Sequence, residues 1–101
     1  MFIYNVTAQL DKNIHKEWIQ WMQQIHIPEV MQTGCFTGSR LLRLLETVES
    51  DRFTYTVQYT APTKADYNRY IEMHAATLRQ STINKWGNKI IAFRSLMEII
   101  N

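Results

Sequence analysis

The chain has 101 residues, of which 46% are hydrophobic and 12% aromatic, and its formal charge is only +2. That is the length of one domain, read as a single unit over residues 1–101. It is too apolar for a disordered tail and lacks a run long enough to span a bilayer. Lysine and arginine are scattered rather than gathered into a stripe, which disfavours a nucleic-acid partner.

Phe2 to Gln9 is rich in β-branched and aromatic residues and partly alternates, which predicts a strand. Asp11-Lys12-Asn13 breaks it, with Asn13 as the expected N-cap of a long first helix reaching Met31. Ile14, Trp18, Trp21, Met22 and Ile25 fall on one arc at helical spacing and form its expected core face. His15, Ile19 and His26 lie on the flank, and His15 in the first turn is expected to meet solvent. Pro28 removes a backbone donor, so the helix kinks there or restarts. Gly34 is the expected left-handed cap that ends the segment.

Phe36 to Val48 reads as a second strand, with a bend at Gly38, although R-L-L-R-L-L-E also suits a helix. Glu49-Ser50-Asp51 supplies a turn. F-T-Y-T-V-Q-Y-T, residues 53–60, then alternates strictly and completes a hairpin. Thr63, with Asp66 three residues later, predicts a capped second helix from Lys64 to about Ser81. Tyr67, Ile71, His74 and Leu78 face inward on it, and Ala75 and Ala76 permit close approach. Gly87 precedes a last strand, Lys89 to Ile100.

Strand, helix, strand, strand, helix, strand is the ferredoxin-like βαββαβ pattern, an α+β fold. It predicts an antiparallel sheet with two helices on one face. In the last strand Ile91, Phe93, Met97 and Ile99 oppose Ile90, Ala92, Leu96 and Ile100, so both faces are apolar. A second apolar face needs a cover, and the simplest is the same face of another copy, giving a homodimer through the sheet face. A domain this small also gains from such association. Cys35 is the only cysteine, so no internal disulfide forms. The first residues lack a signal peptide's basic start and cleavage site. Both points suggest the cytoplasm.

The segments W-I-Q-W-M followed by H-I-P-E-V, V-Q-Y-T, and W-G-N-K-I-I-A-F-R resemble a small bacterial family of unknown function. The resemblance spans nearly the whole chain. That family is similar to the dimeric α/β-barrel superfamily, which includes antibiotic biosynthesis monooxygenases, haem-degrading enzymes, stress-responsive barrels and EthD-like proteins. Several EthD-like members carry a His-x-Pro on the first helix, where His26-Ile27-Pro28 stands here. The resemblance implies a dimeric barrel and a cavity between the sheet and the helices near helix 1. It does not imply a reaction.

Expected ligand-binding residues of that cavity are Trp18, Trp21, Tyr55, Tyr59, His74 and Arg94, with His26 as the candidate catalytic base. An imidazole titrates near neutrality, at about 6.5, and suits proton transfer. The competing reading of His26 is a helix-ending hydrogen bond to a carbonyl. His74 competes as a hydrogen-bonded core histidine, and the tryptophans compete as plain core. Arg94 in an apolar strand calls for a carboxylate, either Glu98 or Glu46 in an ion pair or one on a ligand. No metal site is expected, since neither His26 nor His74 has a third ligand at helical spacing. No cofactor is implied, and phosphate loops and hydrolase elbows are absent. The expected protein is a homodimer with a small-molecule pocket for an aromatic or apolar ligand. The alternative is a cofactor-free monooxygenase, isomerase or cyclase acting on an aromatic or polyketide-like substrate.

Overall fold

The alternation of residues 2–11 builds the strand on which the sheet is centred. In a computed structural model, which describes residues 1–46 and 52–101, β1 (Phe2–Asp11) pairs along its length with two neighbours. These are β3 (Arg52–Ala61) and β4 (Ile90–Glu98), and β2 (Gly38–Arg43) pairs with β3. All pairs are antiparallel and the order is β2-β3-β1-β4, the ferredoxin-like arrangement that the element order predicts. The second strand is shorter than expected, and Gly38 opens it rather than bending it. Val48 and the turn at Glu49-Ser50-Asp51 lie outside the described residues.

Register fixes the two faces, because directly opposed residues point the same way. Tyr4 lies opposite Tyr59 and Leu96, Val6 opposite Val57 and Arg94, and Ala8 opposite Tyr55 and Ala92. This face lies under the helices and supplies buried Tyr4, Ala8, Leu10, Tyr55, Val57, Tyr59 and Ala61. The other face carries Asn5, Thr7, Thr54, Thr56, Gln58 and Thr60 in its middle. Its apolar residues concentrate on β4, where Ile91, Phe93 and Met97 are exposed, Phe93 by 59%, with exposed Ile99 just beyond the strand. The expectation of apolar residues on both faces therefore holds for β4 but not for β1 and β3, whose threonine and amide positions alternate outward.

The first helical covering differs from the single helix expected. Lys12–Ile14 form a 3₁₀ turn, so Asn13 lies inside it and caps nothing. α1 (His15–Trp21) runs into a π-helical segment, Met22–His26, and α2 (Ile27–Gln32) follows. The Ile27 N–H bonds the Met22 carbonyl, five residues back, which is the wide turn of a π segment. Pro28 accounts for its place. An α-helical proline would lack its own donor and press on the carbonyl four residues back, and widening the turn relieves that. Each residue of a wider turn rotates by less than the α-helical 100° or so. Ile25, expected in the core, consequently faces out and is 48% exposed, while His26 turns inward. Ile14, Trp18, Trp21 and Met22 are buried as their spacing predicts.

Gly34, at φ +75°, ends this covering in the left-handed conformation expected of it. Cys35 and Phe36 follow, both buried. The Cys35 thiol lies 3.8 Å from the Thr33 carbonyl.

The second covering begins at the predicted cap. The Thr63 hydroxyl accepts from the Asp66 N–H at 3.1 Å and donates to its carboxylate at 2.8 Å. α3 (Lys64–Met73) then breaks at His74, where φ −128° and ψ −32° leave the helical region. α4 (Ala75–Trp86) continues beyond the expected end near Ser81, up to Gly87 at φ +58°. Tyr70 and Trp86, absent from the expected inward set, are buried, whereas Ala76 is exposed.

Candidate functional site

A cavity of about 50 Å³ lies between the sheet and the two coverings. The strands contribute Tyr4, Val6 and Ala8 from β1, Val57 and Tyr59 from β3, and Ile90, Ala92 and Arg94 from β4. Trp18, Met22 and His26 close it from the first covering, and Tyr70, Arg79 and Thr82 from the second.

The breaks in both coverings create this lining. Trp18, Met22 and His26 are spaced four residues apart and would drift round a regular helix, since four residues overshoot a turn. The π segment removes part of that drift. Tyr70 and Arg79 are nine residues apart, about half a turn out of phase on a straight helix at roughly 100° per residue. Both reach the cavity because the helix breaks between them at His74.

His26 is held by Trp21, whose ring stacks on the imidazole at 4.8 Å and 18°. Its Nδ1 is buried and has no hydrogen-bond partner among the described residues. Burial, and after it the positive charge of Arg94, pushes the imidazole down to about 4. His26 is therefore neutral at pH 7. The helix-ending hydrogen bond proposed for its ring is not formed through Nδ1.

The Tyr59 hydroxyl and Arg79 Nε are likewise buried without a partner among the described residues. Another nitrogen of the Arg79 guanidinium donates to the Tyr4 hydroxyl at 3.1 Å. Burial raises the Tyr59 phenol, and the neighbouring Tyr70 and Tyr4 add to the shift. Burial also raises Tyr70, against a smaller opposing pull from Arg79 and Arg94. Tyr59 and Tyr70 therefore keep their protons at neutral pH and remain donors.

Arg94 does not match the buried arginine expected from its apolar strand. It is solvent-exposed and lines the cavity, so it stands where the cavity meets water. Neither Glu98 nor Glu46 pairs with it. The salt bridges found among the described residues are Arg52–Asp11 and Arg69–Asp66. β4 is an edge strand, which accounts for the exposure.

Of the residues singled out in the sequence, Trp18, His26, Tyr59 and Arg94 come together at the cavity. Trp21, Tyr55 and His74 do not line it. Trp21 stands behind His26 and borders a surface groove with Trp86 and Gln24. Tyr55 packs on Trp18 at 5.3 Å, and its hydroxyl meets His15 Nδ1 at 3.3 Å. His15 is thus half-buried, edge-on to Phe53, and not the exposed residue expected. His74 sits at the break and borders a shallow depression with Glu29 and Thr77, so it forms no pair with His26. Arg79, Tyr70, Tyr4 and Thr82 are the lining residues that spacing did not single out. Among the described residues no three His, Cys, Asp or Glu side chains cluster as metal ligands would.

Fold and site together define a ferredoxin-like α+β protein with a basic, tyrosine-rich cavity beneath its helices. Solved structures share this fold. A dimeric ferredoxin-like protein from an uncultured marine organism matches with a TM-score of 0.71 and 11% identity, over 99% of this chain and 95% of that one. An EthD family protein from Bacillus halodurans matches with a TM-score of 0.66 and 9% identity, over 98% and 100%. SnoaB, a cofactor-independent oxygenase from Streptomyces nogalater, matches with a TM-score of 0.62 and 9% identity, over 99% and 94%. No curated protein matches the sequence. The chain belongs to the family described as domain of unknown function DUF4286, whose sequence profile matches residues 1–100.

Proposed function

We propose that the protein is a cytoplasmic homodimer in which each protomer binds a small molecule in the cavity between sheet and helices. The observation that carries this reading is the set of unpartnered buried polar atoms, His26 Nδ1, Tyr59 Oη and Arg79 Nε, around one cavity. Leaving such groups unsatisfied costs on the order of 1–3 kcal/mol each, so ordered water or a ligand group is expected to meet them. The apolar strip of β4 supports pairing through the sheet face, and the fold is shared with a dimeric ferredoxin-like protein. A buried unpaired thiol suits a reducing compartment. No helix among the described residues is long and apolar enough to cross a membrane.

A second reading is a cofactor-free monooxygenase, isomerase or cyclase for an aromatic or polyketide-like substrate, with His26 as the base. It is favoured by a neutral imidazole between Trp21 and the cavity. It is the weaker reading, because a base whose conjugate acid titrates near 4 accepts protons poorly at pH 7.

Native mass spectrometry of freshly purified protein, with its absorbance spectrum, tests the first reading. The expected species is twice the 12.0 kDa chain mass plus a small-molecule adduct. A monomer removes the dimer. A bare dimer that binds no ligand from an aromatic and aliphatic small-molecule collection removes the pocket.

A further inference from the structure

We propose that the cavity selects a small monocarboxylate, held with its carboxylate between Arg79 and Arg94 and its apolar body against Val6, Ala92 and Ile90. This deepens the pocket reading above and rests on it. The first ground is charge. Among the described residues, two guanidiniums line the cavity and no aspartate or glutamate does. Neither arginine takes part in a salt bridge among the described residues. A cationic cavity without its own counter-charge favours an anion, and a planar guanidinium matches a carboxylate's two oxygens.

The second ground is donors. Arg79 Nε, Tyr59 Oη and His26 Nδ1 are buried, have no partner among the described residues, and belong to residues that line this cavity. The first two are donors, and the imidazole donates from Nδ1 in one of its neutral tautomers. Unpartnered donors on three lining residues of one cavity await an acceptor. The Tyr4 hydroxyl, bonded by Arg79, holds that guanidinium in position.

The third ground is size. About 50 Å³ accommodates a carboxylate or a few waters. An aromatic ring needs a cavity on the order of 150 Å³. The carboxylate therefore lies inside, between Arg79 and Arg94, and the body extends past it to where the cavity meets solvent. Val6, Ala8, Val57, Ile90 and Ala92 form an apolar part of the lining for that body.

Amide NMR titration of the full chain with benzoate, and with benzamide as its neutral counterpart, tests this. Benzoate is expected to shift the resonances of Thr82, Ala92 and Arg94, with a Kd at least tenfold below that of benzamide. Arg79→Gln and Arg94→Gln are expected to weaken benzoate at least fivefold each while leaving benzamide unchanged. The untitrated spectrum of each variant reports whether it is folded. Equal binding of the two probes overturns carboxylate selection and leaves the pocket standing. Benzoate shifts confined to residues away from the cavity overturn it as well. Silence from both probes overturns the selection and the pocket together.

Discussion

The two helical coverings of the sheet are both interrupted next to a histidine, and the interruptions act in opposite ways. In the first covering the helix continues but widens over Met22–His26, which turns Ile25 out and His26 in. In the second the helix stops at His74 and restarts, which leaves His74 at a shallow surface and swings Arg79 inward. A wide turn changes which residue faces the sheet while the axis is kept. A break frees the next segment to choose a new face. The cavity needs both, because its imidazole comes from the first device and one of its guanidiniums from the second.

The largest expected effect tests how firmly the first covering is anchored. Trp18→Ala removes a ring that is 3% exposed and packed on Tyr55. It is expected to cost about 3–5 kcal/mol in urea unfolding. A cost under about 1 kcal/mol would mean that the widened helix is not seated on the sheet as described.

Next comes the consequence of turning His26 inward. Folded, it protonates near 4; in an unfolded chain it protonates near 6.5. Between those values the unfolded chain binds the extra proton. Stability is therefore full above about 6.5, falls as the pH drops toward 4, and levels off below. The full shift is worth at most about 3 kcal/mol, and partial contact with water reduces this to about 1–2. The readout is the unfolding free energy of the wild type minus that of His26→Gln, measured across pH 4 to 7. A flat difference would place the imidazole in solvent and undo the contrast between the two coverings.

The smallest effect belongs to the entry of the second covering. Thr63→Ala loses the bond to the Asp66 N–H and is expected to cost about 1 kcal/mol. Because α3 and α4 are separated at His74, amide exchange is expected to rise in residues 64–73 more than in 75–86. Equal rises in both would show one cooperative helix and no effective break.

The succession of strands and helices, the cap at Thr63 and the left-handed Gly34 were legible because each rests on a local rule. Pro28 announced trouble in the first helix but not its form. A kink and a π turn relieve the same clash, and tertiary packing chooses between them. The break at His74 had no announcement. The stretch M-H-A-A contains no glycine or proline, and alanine is the best helix former. A regular helical phase carried past that point puts His74 inside and overlooks Arg79 and Trp86. Arg94 was misjudged for a related reason. Its apolar neighbours suggested burial, but β4 is at the sheet's edge, and edge position is a property of topology rather than of the strand's own residues.

Cys35, the chain's only thiol, has no exposed surface and sits where the first covering joins β2. An alkylating reagent can reach its sulfur only when that junction opens. The labelling rate of the unmodified protein therefore counts how often the first covering lifts from the sheet, and comparing it with and without a cavity ligand measures how far occupancy holds that covering down.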